Sequence, residues 1–142
     1  RLKFHCKVLQ GDAMRKTSWW KDGKFDRILV DAPCSASGVV RRHPDIKIRR
    51  KKEELEALCN LQLRILEESW TLLEKNGILV YATCSIFHDE NEHVIKKFIE
   101  NKKESILYPP KKNWGLSLDY GNQILPGKSD MDGFYFCRLL KQ

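Results

Sequence analysis

Two short apolar runs, Ile28-Leu29-Val30 in "FDRILVDAP" and Ile78-Leu79-Val80 in "GILVYATC", stand 50 residues apart, each closed by a chain-breaking or polar loop. Continuous apolar runs of this length read as strands buried on both faces, which is the habit of parallel sheets. Between them, "KKEELEALCNLQLRILEESWTLLEKNG" places Leu55, Leu58, Leu61, Ile65, Leu66, Leu72 and Leu73 mostly three and four apart, with Asn76-Gly77 as the stop. That spacing predicts one helix of several turns, and a strand, a crossover helix and a parallel strand leave few topologies open.

The flanks extend the pattern. "FHCKVLQGD", residues 4–12, alternates by two and predicts a further strand. After Cys84, "HDENEHVIKKFIENKK" predicts a second helix, with Asp89 or a neighbour as N-cap and Val94, Ile95, Phe98 and Ile99 on one face. The tail, ending in "FYFCRLL", predicts two short strands joined by a Gly-containing loop. The expected class is α/β, a single domain over 1–142 with a mostly parallel sheet and a C-terminal antiparallel hairpin. In open sheets of this kind ligands bind beyond the carboxyl ends of the strands. Asp12, Asp31, Cys34 and Cys84 all stand at such ends, so they are expected on one rim.

Composition narrows the chemistry. A length of 142 residues suits one domain, with 42% hydrophobic and 32% charged residues. No run is long enough to cross a bilayer and no signal-peptide pattern is present, so a cytoplasmic protein without a membrane role is expected. The five cysteines are odd in number and form no C-x-x-C pair, which argues against a disulfide framework and a zinc site. Cys6, Cys59 and Cys137 lie among apolar residues and are expected as small core fillers. Cys34 and Cys84, at strand ends, are the candidates for chemistry.

The net charge of +7 is concentrated: seven Lys or Arg stand against one Asp between 41 and 52. A patch of Arg41, Arg42, Lys47, Arg49, Arg50, Lys51 and Lys52 is an electrostatic footprint for a phosphate backbone, because neutralising phosphates releases condensed counterions.

At the cysteine loops the motifs become specific. "DAPCS" followed by "SGVVRRHPD", then "YATCS" followed by "ENE", then "LPG" and "DGFYFCRL", resemble the S-adenosylmethionine-dependent RNA cytosine-C5 methyltransferases over nearly the whole chain. The nearest likeness is to bacterial members acting on 16S ribosomal RNA. The resemblance implies a Rossmann-like methyltransferase fold, S-adenosylmethionine as cofactor and ribosomal RNA as partner, with no metal. It implies that Cys84 is the nucleophile added to cytosine C6 and that Cys34 helps release the adduct. It places Asp31 near the target base and cofactor, and Asp12 at the adenosine part of the cofactor. The basic stretch 41–52 would then hold RNA while the base is flipped out.

The family's glycine-rich cofactor loop and the acid of its second strand have no counterpart in this sequence. The expectation is therefore a C-terminal part of the catalytic domain, lacking its first strands and inactive by itself, with S-adenosylmethionine bound fully only when the upstream loop is present. The alternative is a non-catalytic RNA-binding or assembly module that uses the patch alone. A redox pair is disfavoured by the long separation of the two cysteines. A DNA cytosine methyltransferase would take its nucleophile from the "PC" motif, and an amino-group methyltransferase would carry prolines and an aromatic where Cys34 stands.

Overall fold

A computed structural model of the protein describes residues 3, 5–49, 51–110, 115–127 and 130–142, with the backbone alone at 49 and 52. The two apolar runs form β1, Phe25–Asp31, and β2, Leu73–Thr83, paired in parallel. Their register runs from Arg27 opposite Ile78 to Asp31 opposite Ala82, so both strands leave the sheet at the same rim. A single turn, α1 (Ile46–Arg49), and the long α2 (Lys52–Thr71) make the crossover.

The remaining elements are α3 (Glu92–Asn101), β3 (Ser105–Leu107), β4 (Leu116–Leu118), β5 (Gly121–Ile124) and β6 (Phe134–Lys141). The sheet runs β1-β2-β6-β5-β4, and β3 also pairs with β6. Strand β6 alternates, burying Tyr135, Cys137 and Leu139. These meet Leu79 and Tyr81 of β2, while Leu66 and Trp70 of α2 and Val94, Ile95 and Phe98 of α3 complete the core. Each such side chain contributes about 1.5–3 kcal/mol on burial. No described helix is long and apolar enough to cross a membrane.

Five expectations are corrected. Residues 5–12 form no strand and pair with none among the described residues; Val8 is 83% exposed. Alternation alone does not make a strand, because its backbone groups need a ladder partner. The described sheet consequently has one parallel ladder, β1 with β2, and its other ladders are antiparallel. Cys6, on the same unpaired segment, is exposed rather than a core filler; Cys137 is buried as expected and Cys59 half-buried.

The helix predicted to run to Asn76-Gly77 stops at Thr71 instead. Leu72 and Leu73 turn into the core, and the Phe25 amide donates to the Leu72 carbonyl at 2.8 Å. Phe25 is opposite Leu73 while Arg27 is opposite Ile78, so residues 74–77 bulge out and Asn76 takes a left-handed φ of 62°. The second helix starts at Glu92, after a 3-10 turn His88–Glu90, and neither Asp89 nor Asn91 caps it with its side chain.

Candidate active site

The parallel register brings two loops together. Cys34 lies three residues past Asp31 and Cys84 directly past Thr83, at the shared C-terminal rim. The Ala32 amide donates to the Ala82 carbonyl at 2.9 Å, carrying the ladder past the end of β1. Ala36, in a left-handed conformation (φ 61°), then turns the chain into the 3-10 turn Ser37–Val39. The result sets the Cys34 and Cys84 sulfurs 3.5 Å apart, both half-buried. Burial pushes the Cys34 thiol up to about 12, with the neighbouring Cys84 and Glu90 charges adding and the Ala36 amide opposing. Cys34 is therefore a protonated thiol at neutral pH.

Glycine is required where the loops meet. The Gly38 amide donates to the Cys84 carbonyl at 2.9 Å, and the Gly133 amide donates to the Gly38 carbonyl at 2.8 Å. A Cβ on Gly38 would lie 2.1 Å from the Gly133 oxygen and 2.9 Å from the Cys84 oxygen. The start of β6 is thus locked to the Cys34 loop, and that loop to the Cys84 loop.

Beneath the sulfurs lies a polar floor. Glu90 is fully buried, and its carboxylate accepts from the Ser35 amide (2.7 Å), the Gln62 amide (3.0 Å), the Ser35 hydroxyl (2.5 Å) and the Ser85 hydroxyl (2.6 Å). Hydrogen bonds to a charged acceptor contribute about 1.5–3 kcal/mol each. Gln62 also donates to the Pro33 carbonyl at 2.9 Å, tying the Cys34 loop to the middle of α2. Asn91 accepts from the Thr83 hydroxyl at 2.6 Å and donates to the Ser85 carbonyl at 3.0 Å and the Gln123 side chain at 2.9 Å.

The two acids stand apart from this floor. Asp31 is exposed at the end of β1. Asp12 is held below the usual carboxylate range by the Met14 amide and by Arg15, whose Nε lies 3.1 Å away. A cleft of about 350 Å³ along the free side of β1 is lined by Ala13, Trp19, Ile28 and Asp31. Its size and carboxylate fit one flank of an adenosyl group, so the residues present suit S-adenosylmethionine as part of its site.

The basic stretch divides. Arg41 donates to the Asp130 carbonyl at 2.9 Å, and both Arg41 and Arg42 face the Asp132 carboxylate. Lys47 and Lys51 are exposed and stand at an apolar pocket of about 430 Å³ lined by Leu55, Leu58, Ile86 and Phe87. Arg50 and the side chains of Arg49 and Lys52 lie outside the described residues.

Sequence reasoning missed Glu90, Gln62, Asn91 and Gly38. Gln62 carried a faint signal, a polar residue inside a leucine-rich helix stripe. Glu90 and Asn91 were hidden in an acidic run that reads as a solvated helix start.

A family model described as 16S rRNA methyltransferase RsmB/F matches residues 1–140. Ribosomal RNA small subunit methyltransferase B of Shewanella oneidensis is 48% identical over 141 residues, covering 99% of this chain and 33% of that protein. The protein of the same name from Vibrio vulnificus is 47% identical over 142 residues, covering 100% and 32%. The crystal structure of NSun6 from Pyrococcus horikoshii with SFG superposes with a TM-score of 0.82 at 30% identity, covering 95% of this chain and 34% of that one. A methyltransferase homolog protein from Pyrococcus horikoshii gives 0.69 at 30% identity, covering 84% and 40%. The chain spans about a third of the length of the curated relatives it matches, and it shares the Rossmann-like fold of S-adenosylmethionine-dependent methyltransferases. Because the match runs from the first residues to the last strand and takes in both cysteine loops, the chain belongs to the RsmB/F family of 16S rRNA methyltransferases.

Proposed function

We propose that this chain is part of the catalytic domain of a 16S rRNA cytosine-C5 methyltransferase. The observation that carries the proposal is the 3.5 Å between the Cys34 and Cys84 sulfurs at the rim of a parallel strand pair. Cytosine C5 is a weak nucleophile. The Cys84 thiolate bonds to C6, and the electron pair displaced from the C5–C6 double bond makes C5 reactive. S-adenosylmethionine, when bound, supplies the methyl group, with Asp31 and Asp12 on its flank. A water molecule then takes the C5 proton, the C5–H bonding pair re-forms the C5–C6 double bond, and the C6–sulfur bond breaks with its electrons returning to Cys84 as thiolate. Cys34, beside the departing sulfur, assists this release and holds its own proton at neutral pH.

Asp31, exposed at the end of β1 three residues before Cys34, faces the amino and N3 edge of the flipped base. Lys47 and Lys51 contact RNA phosphates, while Arg41 and Arg42 spend part of their charge on Asp132. The isolated chain binds S-adenosylmethionine weakly, because its described residues offer acceptors on one flank only.

Full-length protein given RNA with 5-fluorocytosine at the target tests the reading, since fluorine blocks loss of the C5 substituent and traps the adduct. Cys84→Ala should abolish the trapped complex. Cys34→Ala should make ordinary RNA accumulate as adduct. A trapped complex that survives Cys84→Ala ends the proposal.

A further inference from the structure

The chemistry proposed above uses two sulfurs and leaves Glu90 without a task. Its carboxylate is fully buried, and the four donors that meet it are all neutral. A buried carboxylate without a cation is a costly way to fill space, and an apolar residue of similar volume would stabilise the fold more cheaply. We infer that Glu90 is the positioning residue that sets the spacing of the two thiols, one carboxylate gripping the loop of Cys34 and the loop of Cys84 at once.

The connectivity supports this. Ser35 directly follows Cys34, and Ser85 directly follows Cys84. One carboxylate oxygen receives the Ser35 backbone amide, which fixes the peptide next to Cys34, together with Gln62. The other receives the hydroxyls of Ser35 and Ser85, so both loops end on the same atom. Ser37 bridges the same two hydroxyls, at 3.2 Å to Ser35 and 3.0 Å to Ser85. The Tyr81 hydroxyl donates to the Glu90 carbonyl at 2.8 Å, so the acid is anchored to β2 from below. A carboxylate accepts at every position around both oxygens, whereas a glutamine would turn an amino group towards one pair of donors. No other described side chain receives bonds from residues adjacent to both cysteines through a single charged group.

The inference needs no substrate for its structural half and rests on the proposed methyl transfer for its catalytic half. Dibromobimane, which bridges two thiols and becomes fluorescent, should join Cys34 to Cys84 in the full-length protein, with the linked peptides identified by mass. In Glu90→Gln, bridging should slow by about ten-fold and kcat for rRNA methylation fall by about a hundred-fold, as for groups displaced by roughly an ångström, with KM for RNA within about two-fold. Single-site labelling of Cys84 by monobromobimane should stay near the parent rate. Glu90→Asp, one methylene shorter with the charge kept, should recover part of both losses.

Should Glu90→Gln fail to fold, Ser85→Ala removes one grip while leaving the acid, and it should slow bridging in the same direction. Parent-level bridging and kcat in folded Glu90→Gln, or in Ser85→Ala where the first variant is lost, overturns the inference. Bridging that is lost in Glu90→Gln while the parent protein methylates no RNA upholds the spacing role and removes the proposed function instead.

Discussion

The two sides of β1 differ sharply. On the side of β2, each residue from Ile28 to Asp31 has a partner, and the loops beyond are held by Glu90, Gln62, Asn91 and the Gly38 to Gly133 contact. On the other edge β1 has no partner among the described strands, Leu29 is 68% exposed, and residues 5–12 form no strand. The same strand therefore carries a hydrogen-bonded rim along one edge and, among the described residues, an unpaired edge along the other. Backbone pairing, rather than hydrophobicity, separates the two: both sides carry apolar residues, yet among the described residues only the side of β2 completes a ladder with β1.

This contrast can be broken from the rigid side first. Gly38→Ala pushes a Cβ into two backbone oxygens that cannot retreat without moving a cysteine loop or β6, so a loss of about 3 kcal/mol or more is expected. Chemical unfolding measures it; a variant within about 0.5 kcal/mol of the parent would show the loop to be adaptable. Next comes Gln62→Leu, which leaves the Pro33 carbonyl and one Glu90 oxygen each short of a donor and should cost about 1–3 kcal/mol.

Alkaline pH offers a smaller and more selective probe. The Cys34 thiol is raised from its ordinary value of 9.0 to about 12, so the folded state binds this proton more tightly than the unfolded state. The contribution is intact below pH 9 and is lost as pH rises towards 12. The urea midpoint of the parent should accordingly fall more between pH 8.5 and 10.5 than that of Cys34→Ala, and equal slopes would contradict the burial argument. The smallest effect belongs to the open side: Val8→Ser should change stability by less than about 0.5 kcal/mol, and amides of residues 5–12 should exchange with solvent ahead of those of β2.

The parts visible in the sequence are those governed by periodicity. The runs of β1 and β2, the leucines of α2, the Val94, Ile95 and Phe98 face and the closing hairpin each follow from the spacing of apolar residues. So does the meeting of Cys34 and Cys84, because parallel strands with an intervening helix must end on one rim. What failed to show depends on partners far away in the chain. Residues 4–12 have a strand's alternation, and alternation cannot say whether a neighbour exists. Asn76-Gly77 reads as the stop of the helix, whereas the helix ends at Thr71 and the pair lies in the bulge of β2, since Leu73 already pairs with Phe25 before it. Glu90 looked like one acid among several until the fold placed two serines over it.

The Gly38 to Gly133 contact carries a consequence beyond substitution. Two backbones that touch directly leave no side chain to absorb a change in chain length, so a one-residue insertion in the 3-10 turn after Cys34, or just ahead of β6, should reach the sulfurs as surely as replacing a cysteine.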